Sequence, residues 1–227
     1  MLRIALLFSL LSTPVWALAE NEPYNRVDFQ VEAAREVAND LLIANMSIEV
    51  QDKHPARVAQ QINSLLNEAL KKAAAFGSVK ASSGSQNTHP VYGKNNQIDA
   101  WRGHAEIRLE SRDFKSAGEL IMQLQSTLQL SGLSFTLSPE TRTQLENDLI
   151  AEAIKAFQRR ADTISAAMGA RAYRTVHFSI NGGMPPVYAK AMMRAAPMAM
   201  DATIPEPEFA GGDTRMTLQV NGTIELQ

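Results

Sequence analysis

The sequence predicts a layered α/β protein of the α+β kind. Helices pack on a mostly antiparallel sheet with a ferredoxin-like βαββαβ core, one long helix and a C-terminal strand pair. Three observations predict it. Residues Leu42 to Leu137 run strand, helix, strand, strand, helix, strand, the order of a split βαβ unit. From Ser138 to Gly169, apolar residues recur at helical spacing. The segment from Met216 to Leu226 alternates cleanly, with Gly222 in phase, as a half-buried strand does.

The elements follow in order. Val27, Phe29, Val31 and Ala33 alternate with Asp28, Gln30 and Glu32, which is a strand. A turn near Asn39-Asp40 leads to a second alternation through Leu42, Ala44, Met46, Ile48 and Val50, and the pair reads as a hairpin. Pro55 can open a helix because the first helical position needs no N–H donor. Its stripe is Val58, Ile62, Leu65, Leu66, Ala69, Ala73 and Phe76, and Gly77 ends it. Val79 to His89 is a Ser-rich strand, and Gly93-Lys94-Asn95-Asn96 is turn sequence. Trp101, Gly103, Ala105, Ile107 and Leu109 then face one way, with Arg102, His104, Glu106, Arg108 and Glu110 opposite.

Asp113 caps a helix carrying Phe114, Ala117, Leu120, Ile121, Leu124 and Leu128 inward, and Leu133, Phe135 and Leu137 form a short strand. Ser138-Pro139-Glu140 starts the long helix with a capping hydroxyl, a residue that lacks the unneeded donor, and a negative charge at the positive end of the dipole. Its stripe runs Leu145, Leu149, Ile150, Ala153, Ile154, Phe157, Ala161, Ile164, Ala167 and Met168. At roughly eight turns it is long enough to lie across a sheet. Val176, Phe178 and Ile180 form the strand that follows Gly169.

Composition and the first residues speak to location. Arg3, the apolar run Ile4 to Leu11 and Ala17-Leu18-Ala19 have the form of a cleavable signal peptide, residues 1–19, with cleavage after Ala19. The apolar run falls short of the ~20 residues a membrane span needs and is interrupted by Ser12, Thr13 and Pro14, so it is read as a signal peptide rather than an anchor, and the mature chain as having no transmembrane segment. Residues 20–227 are read as one domain. The formal charge of −2, one unit lower once Arg3 is lost, argues against a nucleic-acid partner. With no cysteine, the chain has no disulfide and no thiol nucleophile, and its core holds by burial alone. Export of such a chain points to the periplasm.

Residues 181–212 differ from the rest. They contain Gly182-Gly183, Pro185-Pro186, Pro197, Pro205 and Pro207, with Met184, Met192, Met193, Met198 and Met200. This reads as a flexible loop, of a length that in a compact domain is usually functional or disordered.

The ordered set of these features resembles the SIMPL-domain family. The segments that carry the resemblance are the exported start, Ala151-Glu-Ala-Ile-Lys-Ala156 through Arg160-Ala161, Met168-Gly169-Ala170 before a strand, and the Gly/Pro/Met-rich loop. Met216 to Leu226 as the closing strand, Trp101-Arg102-Gly103 ahead of a strand ending near Asp113, and Leu130 to Leu137 before the long helix complete it. The resemblance implies an exported bacterial protein, periplasmic or associated with the outer membrane, with a homo-oligomer, an envelope protein partner and a role in oxidative-stress defence. The family brings no catalytic residues and no cofactor.

Three groups are the candidates for function. His54, His89, His104 and His177 have no ligand-type spacing, although His104 and His177 both lie on polar strand faces that could be neighbours. Arg102, His104, Glu106 and Arg108 share one face, where carboxylates flanked by arginine make a cross-strand ion ladder rather than an acid–base pair. With Met184 and Tyr188 they form a candidate interaction surface. Met192, Met193, Met198 and Met200 offer soft thioether ligands for copper, a reversible oxidant sink, or adaptable apolar contacts. The leading expectation is a non-enzymatic, self-assembling periplasmic protein. The alternative is a periplasmic copper-binding or oxidant-scavenging protein that uses the methionines.

Overall fold

The computed structural model describes residues 24–183 and 210–227. Residues 1–19, read as a signal peptide, and Met184, Tyr188, Met192, Met193, Met198 and Met200 lie outside the described residues. Among the described residues, seven strands and three α-helices follow in the order β1 (Arg26–Ala38), β2 (Leu41–Asp52), α1 (Pro55–Ala74), β3 (Val79–Tyr92), β4 (Ile98–Ser111), α2 (Phe114–Leu124), β5 (Gln129–Thr136), α3 (Pro139–Ala167), β6 (Tyr173–Gly183) and β7 (Asp213–Leu226). They build two antiparallel sheets, one of four strands in the order β3-β4-β2-β5 and one of three in the order β1-β7-β6.

The four-stranded sheet has the expected ferredoxin-like arrangement. Within the unit from β2 to β5, the first and third strands are central, and the second and fourth flank them. Alternation decides which face is buried. Leu42, Ala44, Met46 and Ile48 of β2 and Ala105, Ile107 and Leu109 of β4 turn toward α1 and α2. There they meet Val58, Ile62, Leu66, Ala117, Leu120 and Leu124. The sheet's other face carries the polar residues of the same strands. Asp113 caps α2 as expected, accepting a 3.1 Å hydrogen bond from the Ser116 N–H.

Helix α3 covers the other sheet. Its 29 residues reach roughly 43 Å at 1.5 Å per residue. The buried positions Leu145, Leu149, Ala153, Phe157 and Ala161 lie on Val31, Ala33, Leu218, Val220 and Ile224. Gly169 follows with φ +71°, the left-handed geometry that makes glycine the natural helix stop. Ala167 and Met168, read from their spacing as the end of the stripe, are both exposed, Met168 at 67%, because the buried row runs on from Ala161 to Ser165 and stops there.

The expected hairpin between the first two strands does not form. Instead β1 pairs with β7 from Arg26↔Glu225 to Ala38↔Asp213, and β2 enters the other sheet between β4 and β5. Both strands have one apolar face, and a pairing between them satisfies the pattern equally well. The choice lies in the side chains of Asn39 and Asp40, which bind elsewhere. Leu137, grouped by alternation with Leu133 and Phe135, falls just past β5 and packs in the α3 core rather than theirs.

Both sheets carry a glycine where a helix crosses closest. A Cβ on Gly103 would run into Val58 and Ile62 of α1, and one on Gly222 would stand 2.5 Å from the Phe157 ring. Phe157 therefore sits directly over β7, stacked on Phe29 of β1 at 4.6 Å between ring centroids and edge-on to Phe178 of β6 at 5.2 Å. Gly103→Ala and Gly222→Ala are each expected to cost about 1–3 kcal/mol by overpacking. Gly77→Ala, with nothing within 4 Å of its new Cβ, is expected to leave stability unchanged in urea unfolding. Equal behaviour of all three variants would contradict the packing.

Candidate functional site

The outer face of the four-stranded sheet is built by the residues between the core positions of β4. Because Gly103, Ala105, Ile107 and Leu109 point inward, Arg102, His104, Glu106, Arg108 and Glu110 stand in a row on the open side. The neighbours follow from register. Gln51, Glu49, Ser47 and Asn45 of β2 lie opposite Arg102, His104, Glu106 and Arg108, and His89, Asn87 and Ser82 of β3 lie opposite Arg102, His104 and Arg108.

The charges of the row are spent sideways. Arg102 Nη2 donates to Gln51 Oε1 at 3.1 Å. Its Nε lies 3.4 Å from Glu49 Oε1, too poorly aligned to count as a hydrogen bond, which leaves that buried N–H without an acceptor. His104 Nε2 is 3.3 Å from Glu106 Oε1, and Ser85 Oγ donates to Glu106 Oε2 at 3.1 Å. Arg108 Nε donates to Glu110 Oε1 at 2.7 Å. Side chains in the row are 30–43% exposed, so water screens each pair and none contributes more than about 1 kcal/mol. Chemically this is a flat surface of alternating donors and acceptors. It suits polar contact with another surface. Ser85, Glu49 and Gln51 were not evident from the sequence as members of the face, because only strand register shows which residues of β2 and β3 lie beside β4.

The structure separates the two histidines that polar alternation left as potential neighbours. His104 is on β4 and His177 on β6, in different sheets, so no shared site forms. Among the described residues, no group of three or more His, Asp or Glu side chains is placed to hold a metal ion. One groove runs between β1 and α3, lined by Gln30, Glu32, Arg159, Arg160 and Thr163.

A second polar cluster, read from the sequence only as a turn, lies where the chain passes between sheets. Asp40 Oδ1 accepts from the Ser138 N–H at 2.6 Å, and its Oδ2 accepts from Ser138 Oγ and Thr141 Oγ1, both at 2.7 Å. Arg112 donates to Ser138 Oγ at 2.7 Å and to Glu140 Oε2 at 2.5 Å. Beside it, the buried Asn39 donates from Nδ2 to the Gly211 carbonyl at 2.8 Å and accepts from Thr214 Oγ1 at 2.6 Å. Burial alone pushes the Asp40 carboxyl up. The hydrogen bonds from the Ser138 backbone, the Ser138 hydroxyl and Thr141, with the charge of Arg112, outweigh it and hold the group below its ordinary value.

A family model described as SIMPL, protein of unknown function (DUF541), matches residues 27–224. No curated protein matches. Among solved structures, one titled the crystal structure of AtUAH in complex with glyoxylate aligns at 17% identity with a TM-score of 0.29, over 43% of this chain and 29% of that one. The chain thus spans less than a third of that protein, and the likeness is too low to carry any argument.

Asp40→Asn is expected to cost about 1–3 kcal/mol, since it turns donors toward donors in a part-buried site. Arg102→Ala or Arg108→Ala is expected to cost under about 1 kcal/mol. The folded Asp40 carboxyl titrates below its ordinary, unfolded value. Its contribution is therefore complete above that value and lost as pH falls through the lower folded value. Urea unfolding across that acid range is expected to lose part of its pH dependence in Asp40→Asn. An unchanged slope would show that the junction carboxylate is not linked to folding.

Proposed function

The chain belongs to the SIMPL family, and from that membership we propose that it is a non-enzymatic periplasmic protein that self-assembles and presents a polar face to an envelope partner, in envelope or oxidative-stress defence. The observation that carries this reading is the outer face of the four-stranded sheet. No described helix covers it, and its central row of Arg102, His104, Glu106 and Arg108 is half exposed.

A catalytic acid or base needs a desolvated, positioned setting that shifts its proton affinity toward its task. The β4 row instead lies flat on a screened surface, with its carboxylates engaged by Ser85, His104 and Arg108. A face of that kind favours docking over turnover. Among the described residues, no helix is long and apolar enough to cross a membrane. The signal-peptide form of residues 1–19 supports the periplasmic destination.

The test combines processing with size. Full-length chain expressed in a Gram-negative host is expected in the periplasmic fraction with Glu20 as its first residue. Light scattering of that material at tens of micromolar is expected to show an oligomer. Retention in the cytoplasm with Met1 intact would contradict the destination, and a clean monomer would contradict the assembly.

A further inference from the structure

The two edges of the three-stranded sheet are treated differently. β1 forms one edge and carries Arg26, Asp28, Glu32, Arg35 and Glu36, with Arg35 paired to Asp148 and Glu152 of α3. Charge on an edge strand discourages further pairing. β6 forms the other edge, and between Tyr173 and Gly183 its only charged or titratable side chains besides the tyrosine are Arg174 and His177. It has no proline or lysine, and its one irregularity is a register shift between Thr175 and His177.

The apolar core also runs on past this edge. Phe178 and Ile180 pair with the buried Gly222 and Val220, yet they are 37% and 38% exposed, and the neighbouring Val176 is 40% exposed. Phe157 touches Phe178 edge-on, but α3 does not cover the row. Among the described residues no strand pairs with the outer side of β6, and a contiguous apolar strip on such an edge is the arrangement that strand addition satisfies.

The sequence of β6 is complementary to itself in antiparallel pairing. With Phe178 on a two-fold axis, Val176 lies opposite the partner's Ile180 and Phe178 opposite the partner's Phe178. In the same register His177 lies opposite the partner's Ser179, while Arg174 lies beyond the register shift and outside this pairing. No charge faces a like charge, and the apolar residues meet one another. We propose that β6 is the self-association edge, and that two copies pair β6 against β6 antiparallel, joining two three-stranded sheets into one continuous six-stranded sheet. Such an interface is isologous, with each contact made twice. The inference rests on the self-association reading and assigns the surface that performs it, leaving the β4 row free for another partner.

Sedimentation of the purified protein and of two single variants tests it. Phe178→Lys sets like charges face to face across the axis and is expected to weaken association at least tenfold while circular dichroism stays native. Arg174→Ala, beyond the register shift, is expected to leave association unchanged. Because the chain has no cysteine, Phe178→Cys gives a clean reporter that does not depend on how well Phe178→Lys folds. Cross-strand Cα atoms at about 4.5–5.5 Å are within disulfide reach, so mild oxidation is expected to link two copies. If the protein associates but folded Phe178→Lys associates equally well, or Phe178→Cys does not cross-link, the interface lies elsewhere and only this assignment falls. A wild-type protein that stays monomeric overturns both the assignment and the self-association reading.

Discussion

The architecture depends on how the chain leaves β1. Two residues, Asn39 and Asp40, separate two strands with the same kind of apolar alternation, and a tight hairpin is the local alternative. Both side chains are committed to distant partners. Asn39 is held by the Gly211 carbonyl and Thr214 at the start of β7, and Asp40 by the backbone and hydroxyl of Ser138 and by Thr141 at the start of α3. The Asn39 N–H also donates to the Gly212 carbonyl at 2.9 Å. These bonds tie the N-terminus of the long helix, the entry to the last strand and the crossover between sheets into one part-buried cluster. Removing a partner there leaves a buried donor or acceptor unsatisfied, which costs more than a surface ion pair contributes.

From that junction, the two layers form by the same physics. Each sheet buries one face under helix and leaves the other polar, and each has a glycine where helix side chains press closest. Under α1, Gly103 makes room for Val58 and Ile62, and under α3, Gly222 makes room for Phe157. The open faces are then surfaces with no further structural task. The β4 row shows what such a face offers: donors and acceptors in alternation, held by weak lateral pairs.

Much of this was legible in the chain itself. Ser138, Asp113 and Gly169 act as caps and stop for reasons local to a few residues, and local reasons are what a sequence displays. The βαββαβ order from Leu42 to Thr136 followed from periods of two and 3.6 in sequence. The hairpin expectation failed at Asn39-Asp40, because turn residues are recognised by type while their actual partners lie 98 and 175 positions away. Alternation likewise placed Arg102, His104, Glu106 and Arg108 on one face, yet it could not say that Glu49, Gln51 and Ser85 join them, or that His177 stands in another sheet. Alternation fixes a face; register, which long-range pairing decides, fixes the neighbours.

The central claim is that the Asn39–Asp40 crossover sends the first two strands into different sheets. Cross-strand proton–proton contacts in an isotope-labelled sample test it most directly. The account predicts contacts along β1 and β7, such as Gln30 with Asn221 and Glu32 with Gln219, and none between β1 and β2. Contacts pairing Glu36 with Ile43 and Val37 with Leu42 would report a hairpin in their place and would contradict it.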